Sequence, residues 1–152
     1  MPIEVGAQAP DFELPDQFMN PVKLSDFRGE KNVVLVFFSA AFSSICEGEM
    51  CSVRDELADL DTSEAQVLTV STDTPFVLRQ WADQQGYKFS LLSDFWPHGK
   101  VSRIYDVFDE QFGVPTRGTF VIDKTGTVRW RVLNAIPDIR DAGEYRTALA
   151  AL

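Results

Sequence analysis

The chain has 152 residues, a formal net charge of −9 and 45% hydrophobic residues, enough apolar material for one sizeable core and the wrong sign for a nucleic-acid or anionic-membrane partner. Two cysteines are too few for the disulfide framework of a small secreted domain, so thiols used chemically in a reducing compartment are expected. No signal peptide is visible, the longest apolar run (33–38) is too short to span a bilayer, and no dinucleotide or phosphate loop occurs. These features predict a single domain over residues 1–152, cytoplasmic and without a bound cofactor.

In chain order, Phe12-Glu13-Leu14 and Val22-Lys23-Leu24 flank a polar turn with Asp16, Asn20 and Pro21, which predicts a small hairpin. The Val- and Phe-rich run 33–38 reads as a strand buried on both faces. From Cys46 to Leu60, Met50, Val53, Leu57 and Leu60 follow helical spacing, with Ser43 and Ser44 upstream as capping residues. Residues 67–70 predict the next strand, and Thr74-Pro75 opens a helix carrying Val77, Leu78, Trp81 and Ala82 that ends near Gly86. Leu91-Leu92 is a short apolar segment, and a short helix is expected over 100–105. Residues 118–123 and 128–133 form a hairpin by the turn chemistry of Lys124-Thr125-Gly126-Thr127, and the tail 143–152 closes with a helix. Alternating strands and helices give the α/β class.

Cys46 follows an apolar strand and a polar turn and stands where a helix begins. Unpaired amides and the positive dipole end at such a site favour a thiolate, which suits a nucleophile. Cys51 lies five residues further along the same helix. On an uninterrupted helix that separation is about 7.5 Å of rise and roughly 140° of rotation, or about 8 to 9 Å between Cα atoms. A disulfide wants less than about 7 Å. The two thiols can join only if the first turns unwind, which Gly48 between them makes easier. A C-x-x-C oxidoreductase would space them more closely. The lone His98, between Pro97 and Gly99, reads as a loop constituent, and two cysteines on one helix with a remote histidine do not make a metal site.

The sequence resembles the peroxiredoxins, thiol peroxidases of thioredoxin-like fold, over nearly its whole length. Gly6-Ala7-Gln8-Ala9-Pro10-Asp11-Phe12, Leu24-Ser25-Asp26-Phe27-Arg28-Gly29 and Arg117-Gly118-Thr119-Phe120-Val121-Ile122-Asp123 are similar to three motifs of that family. The family's central pattern of proline, threonine or serine, and cysteine falls on Ser39, Ser43 and Cys46. Leu91-Leu92-Ser93-Asp94-Phe95-Trp96-Pro97-His98-Gly99 resembles the AhpE type, whereas the Cys46 and Cys51 spacing resembles the Q-type (bacterioferritin-comigratory) members, in which the second cysteine resolves the oxidised first.

The resemblance implies a thioredoxin-like three-layer sandwich with an N-terminal β-hairpin extension. It further implies a peroxide substrate, a thioredoxin, mycoredoxin or similar reductant, and a homodimer. Candidate catalytic residues are Cys46 as attacking thiol, Ser43 as a holder of peroxide oxygen and Arg117 as stabiliser of thiolate and departing oxygen. Glu49 would orient the arginine and Cys51 would resolve. A one-cysteine peroxidase recycled by external thiol, or a redox sensor, are the alternatives. Serine in place of the family's proline at position 39 restores a backbone donor and permits more conformations, so a looser peroxide pocket is expected. Phe42, Phe76, Phe95 and Trp96 are either core or dimer interface.

Overall fold

The structure, a computed structural model, describes residues 3–57 and 64–152. A hairpin of β1 (Glu13–Pro15) and β2 (Pro21–Lys23) leads through a 3-10 turn, Leu24–Phe27, into β3 (Asn32–Phe37). There follow α1 (Ser44–Leu57), β4 (Ala65–Ser71), α2 (Pro75–Gln85), β5 (Ser90–Ser93) and α3 (Lys100–Ile104). A small ladder, β6 (Phe108–Asp109) with β7 (Val114–Pro115), precedes β8 (Arg117–Ile122), β9 (Val128–Asn134) and α4 (Ala142–Ala150). The predicted elements are present. The β6–β7 ladder was not anticipated, because two-residue strands carry no readable period.

The central sheet has the order β5-β4-β3-β8-β9, with β3, β4 and β5 parallel and β8 and β9 antiparallel to their neighbours. Strand alternation sorts β3 into two cores. Val34 and Val36, with Phe38 just beyond, pack with Met50 and Val53 of α1, Leu78 and Trp81 of α2 and Tyr145 of α4. Val33, Leu35 and Phe37 face Phe12, Leu14, Val101 and Tyr105 on the other side. Helices therefore cover both faces of a doubly buried sheet, the three-layer arrangement predicted above. Each such buried apolar side chain contributes about 1.5–3 kcal/mol.

α1 begins at Ser44 rather than at the cysteine, so Cys46 occupies the first turn instead of the helix boundary. The predicted end at Leu60 lies outside the described residues. α2 is fixed by local chemistry at both ends: Thr74 Oγ1 accepts from Val77 N at 3.4 Å, Pro75 starts the helix, and Gly86 closes it at φ 72°, where glycine carries no Cβ penalty.

Candidate active site

The C-terminal end of parallel β3 delivers the chain into the turn of residues 39–43, and α1 carries it back across the sheet. β8 runs antiparallel to β3, with Thr119 opposite Val36, so its first residue, Arg117, lies beside the end of β3. Residues 117, 119 and 121 share one face of β8, and Val121 packs in the same core as Cys46. Topology thus places Arg117 and Cys46 on one side of the sheet.

Cys46 is fully buried (0% exposed), with Arg117 Nη1 donating to its Sγ at 3.1 Å. The same nitrogen donates to Glu49 Oε1 at 2.6 Å, and Arg117 Nε donates to the Ile136 carbonyl. Glu49 sits one turn after Cys46 on α1, which brings both onto the same helix face. The predicted grouping of Cys46, Arg117 and Glu49 is therefore present, with the carboxylate bracing the guanidinium.

A second guanidinium, absent from the sequence reading, completes the arrangement. Arg140 donates to Glu49 through its backbone N (2.7 Å to Oε2), Nε (3.0 Å to Oε2) and Nη2 (2.9 Å to Oε1). Its Nη1 reaches the Gly118 carbonyl at 2.9 Å and Thr119 Oγ1 at 3.0 Å, and Thr119 donates to the Tyr145 hydroxyl at 2.9 Å. Asp141, next in the chain, accepts from Gly143 N at 2.9 Å and caps α4, which anchors the Arg140 backbone. Burial pushes the Glu49 carboxyl up, but hydrogen bonds and charge from Arg140, with the charge of Arg117, outweigh that and hold it below its ordinary value of 4.5. Two guanidinium groups against one carboxylate leave this buried cluster with one excess positive charge, which a thiolate at Cys46 would neutralise.

The turn before α1 is held on both flanks. Ser39 is buried and its Oγ donates to the Pro115 carbonyl at 2.9 Å, so the side chain fastens the turn to β7. On the opposite flank, Ala41 N donates to Asp73 Oδ2 at 2.8 Å, and that oxygen also accepts from Ser71 Oγ at 2.7 Å. Phe42, at φ 69°, takes a left-handed conformation that a bulky residue adopts only when its surroundings impose it. Ser43 Oγ donates to the Ala40 carbonyl at 3.0 Å, which leaves its lone pairs free to accept from an incoming O–H. The first intrahelical bond runs from Glu47 N to the Ser43 carbonyl (2.8 Å), so the amides of Ser44, Ile45 and Cys46 precede the ladder.

Cys51 is half-buried, and both cysteines are free on an intact helix. Its Sγ donates to Gln85 Oε1 at 3.7 Å and lies 3.5 Å from the Tyr87 hydroxyl. Gln85 Nε2 donates to Glu47 Oε1 at 2.7 Å, and the Tyr87 hydroxyl donates to the Glu47 carbonyl at 3.5 Å. Burial, and then the neighbouring Cys51 thiol, push the Tyr87 phenol well above its ordinary value, so it stays neutral and keeps its proton to donate. His98 lies elsewhere, with Nε2 2.6 Å from the Gly113 carbonyl. Phe42, Phe76, Phe95 and Trp96 are all exposed, Trp96 by 80%, which removes the core reading for them. Among the described residues no group of three or more His, Cys, Asp or Glu side chains could hold a metal ion, and no helix is long and apolar enough to cross a membrane.

The sequence and the fold both have known counterparts. Residues 5–131 match the AhpC/TSA family. Alkyl hydroperoxide reductase E of Mycobacterium tuberculosis is 47% identical over 150 residues, 99% of this chain and 98% of its own. The crystal structure of peroxidoxin BcpB from Mycobacterium tuberculosis matches with a TM-score of 0.85 at 31% identity, covering 99% of this chain and 98% of that one. AhpC of Enterococcus faecalis matches with a TM-score of 0.88 at 27% identity, covering 99% and 92%. With its thioredoxin-like fold, the chain belongs to the AhpC/TSA family of peroxiredoxins, oxidoreductases that act on peroxides.

Proposed function

We propose that this protein is a thiol-dependent peroxidase in which Cys46 attacks hydrogen peroxide, an organic hydroperoxide or peroxynitrite and Cys51 resolves the product. The observation that carries the reading is the buried Arg117 guanidinium 3.1 Å from Cys46 Sγ, itself braced by Glu49. The Cys46 thiolate forms an S–O bond as the O–O bond breaks. The second oxygen departs as hydroxide or alkoxide, or within nitrite when the substrate is peroxynitrite, and its developing charge is met by Arg117 until the leaving group is protonated or released. Ser43 accepts a hydrogen bond from the peroxide, and Glu49 keeps Arg117 aimed.

The Cys46 sulfenic acid is then attacked by the Cys51 thiolate, forming the S–S bond and releasing hydroxide that is protonated to water. A thioredoxin- or mycoredoxin-type dithiol reduces the disulfide. The exposed Phe42, Phe76, Phe95 and Trp96 support a homodimer, and the reading extends to one functional domain over residues 1–152 working in the cytoplasm. A second reading, a one-cysteine peroxidase recycled by external thiol, draws support from the intact α1 and the contacts that hold Cys51 away from Cys46. Stopped-flow oxidation by several peroxides, followed by mass spectrometry of wild type and Cys51→Ser, decides between them. An intramolecular disulfide in wild type and a persistent sulfenic acid in the variant support resolution by Cys51. Only sulfenic acid or mixed-thiol adducts in wild type would assign the protein to the one-cysteine class.

A further inference from the structure

Ser39 follows directly on Phe38, whose N–H donates to the Val70 carbonyl at 2.9 Å and makes the last β3–β4 contact before the turn. Its hydroxyl crosses 76 positions of sequence to the Pro115 carbonyl at 2.9 Å. Pro115 closes β7 and stands two residues before Arg117. One buried hydroxyl thus links the segment that presents Cys46 to the segment that presents Arg117. No other side-chain hydrogen bond described for residues 39–43 points that way: Ala41 N is held by Asp73, and Ser43 Oγ bonds within the turn to Ala40.

We infer that Ser39 is a positioning residue for peroxide reduction, its hydroxyl fixing the turn against the Arg117 strand so that thiol and guanidinium meet in register. The inference rests on the reading of Cys46 as attacking thiol and Arg117 as its charge partner. Attack on an O–O bond requires close alignment, and displacement of a reacting group by about 1 Å can cost on the order of a hundredfold in rate. The opposite flank, pinned by Asp73, would still hold the turn in place after loss of the Ser39 bond, so a partial shift and a smaller penalty follow. A proline at this position fixes φ but cannot donate to Pro115.

The test compares wild type with Ser39→Ala, Ser39→Thr and Ser39→Pro in rapid mixing with hydrogen peroxide, alongside re-reduction of each oxidised protein by dithiothreitol and a thermal melt. Ser39→Ala should oxidise about tenfold more slowly, with re-reduction unchanged, and Ser39→Thr, which keeps the hydroxyl, should recover toward the wild-type rate. Ser39→Pro keeps the test open if the alanine variant does not fold, and it should be slow as well. Wild-type oxidation rates in either hydroxyl-free variant, equal loss in Ser39→Thr, or equal slowing of both half-reactions would overturn the inference and leave Ser39 with a role in stability alone. Arg117→Met is the control for the underlying reading: if it oxidises at the wild-type rate, the assignment of the site fails and this inference with it.

Discussion

Substituting Gly48 by alanine isolates the unwinding that the proposed disulfide requires. Gly48 lies within α1, between the two cysteines, and a Cβ added there meets nothing within 4 Å. Alanine therefore fits without displacing a neighbour, and the only change is in the helix itself. Glycine inside a helix is less favourable than alanine by about 0.8–1.0 kcal/mol. If the first turns of α1 must open before Cys51 reaches the sulfenic sulfur, that full difference opposes the step, and disulfide formation slows about four- to fivefold. Sulfenic acid formation at Cys46 should be unchanged, because attack on peroxide uses the folded site. The assay is quenched-flow trapping of the sulfenic acid with a dimedone-type reagent after a peroxide pulse, with free thiol and disulfide counted by mass spectrometry. A raised melting temperature verifies that the helix has been stabilised. A stabilised Gly48→Ala protein that forms the disulfide as fast as wild type would refute the argument that helix opening limits resolution.

Two further outcomes are expected. In Glu49→Gln, one amide cannot accept the four hydrogen bonds that the carboxylate takes from Arg117 and Arg140, and two buried guanidinium groups lose their counter-charge. Urea unfolding at pH 7 should show a loss of about 3–5 kcal/mol. Because the folded-state carboxyl is held below 4.5, this contribution is complete above that pH and is lost as pH falls through the lowered value, so the gap to wild type should narrow in acid; a gap independent of pH would count against it. Tyr87→Phe removes the hydroxyl that touches Cys51 Sγ and the Glu47 carbonyl, and with a net bond worth about 1 kcal/mol it should speed disulfide formation about fivefold. The same trapping assay reads it, and a slower rate would mean that the tyrosine assists resolution.

The strands and helices were legible because their patterns are local. The doubly buried β3, the Thr74-Pro75 helix start and the Lys124-Thr125-Gly126-Thr127 turn each follow from a few adjacent residues. The core of the site was legible too, since Cys46 and Glu49 share a helix face and Arg117 heads a strand. Arg140 was not. It sits between Ile139 and Asp141 in a stretch with no periodicity, and its pairing with Glu49 spans 91 positions. An arginine directly before an Asp N-cap was the one available signal, and it names no partner. The Ser39 contact was hidden for a related reason: the sequence shows the backbone freedom of a serine, and not the distant carbonyl that its buried hydroxyl reaches.

The chain of contacts from Cys46 through Arg117 and Glu49 to Arg140 draws on residues scattered across most of the sequence. A ribosome releases these residues in order, so Cys46 emerges well before Arg117, and Arg140 comes last. Until β8 docks beside β3 the thiol has no guanidinium next to it, and until Arg140 arrives Glu49 lacks three of its four hydrogen bonds. A growing polypeptide therefore carries an unassembled thiol through synthesis. On the proposed reading of Cys46 as attacking thiol, the acceleration that Arg117 supplies arrives only when the fold closes.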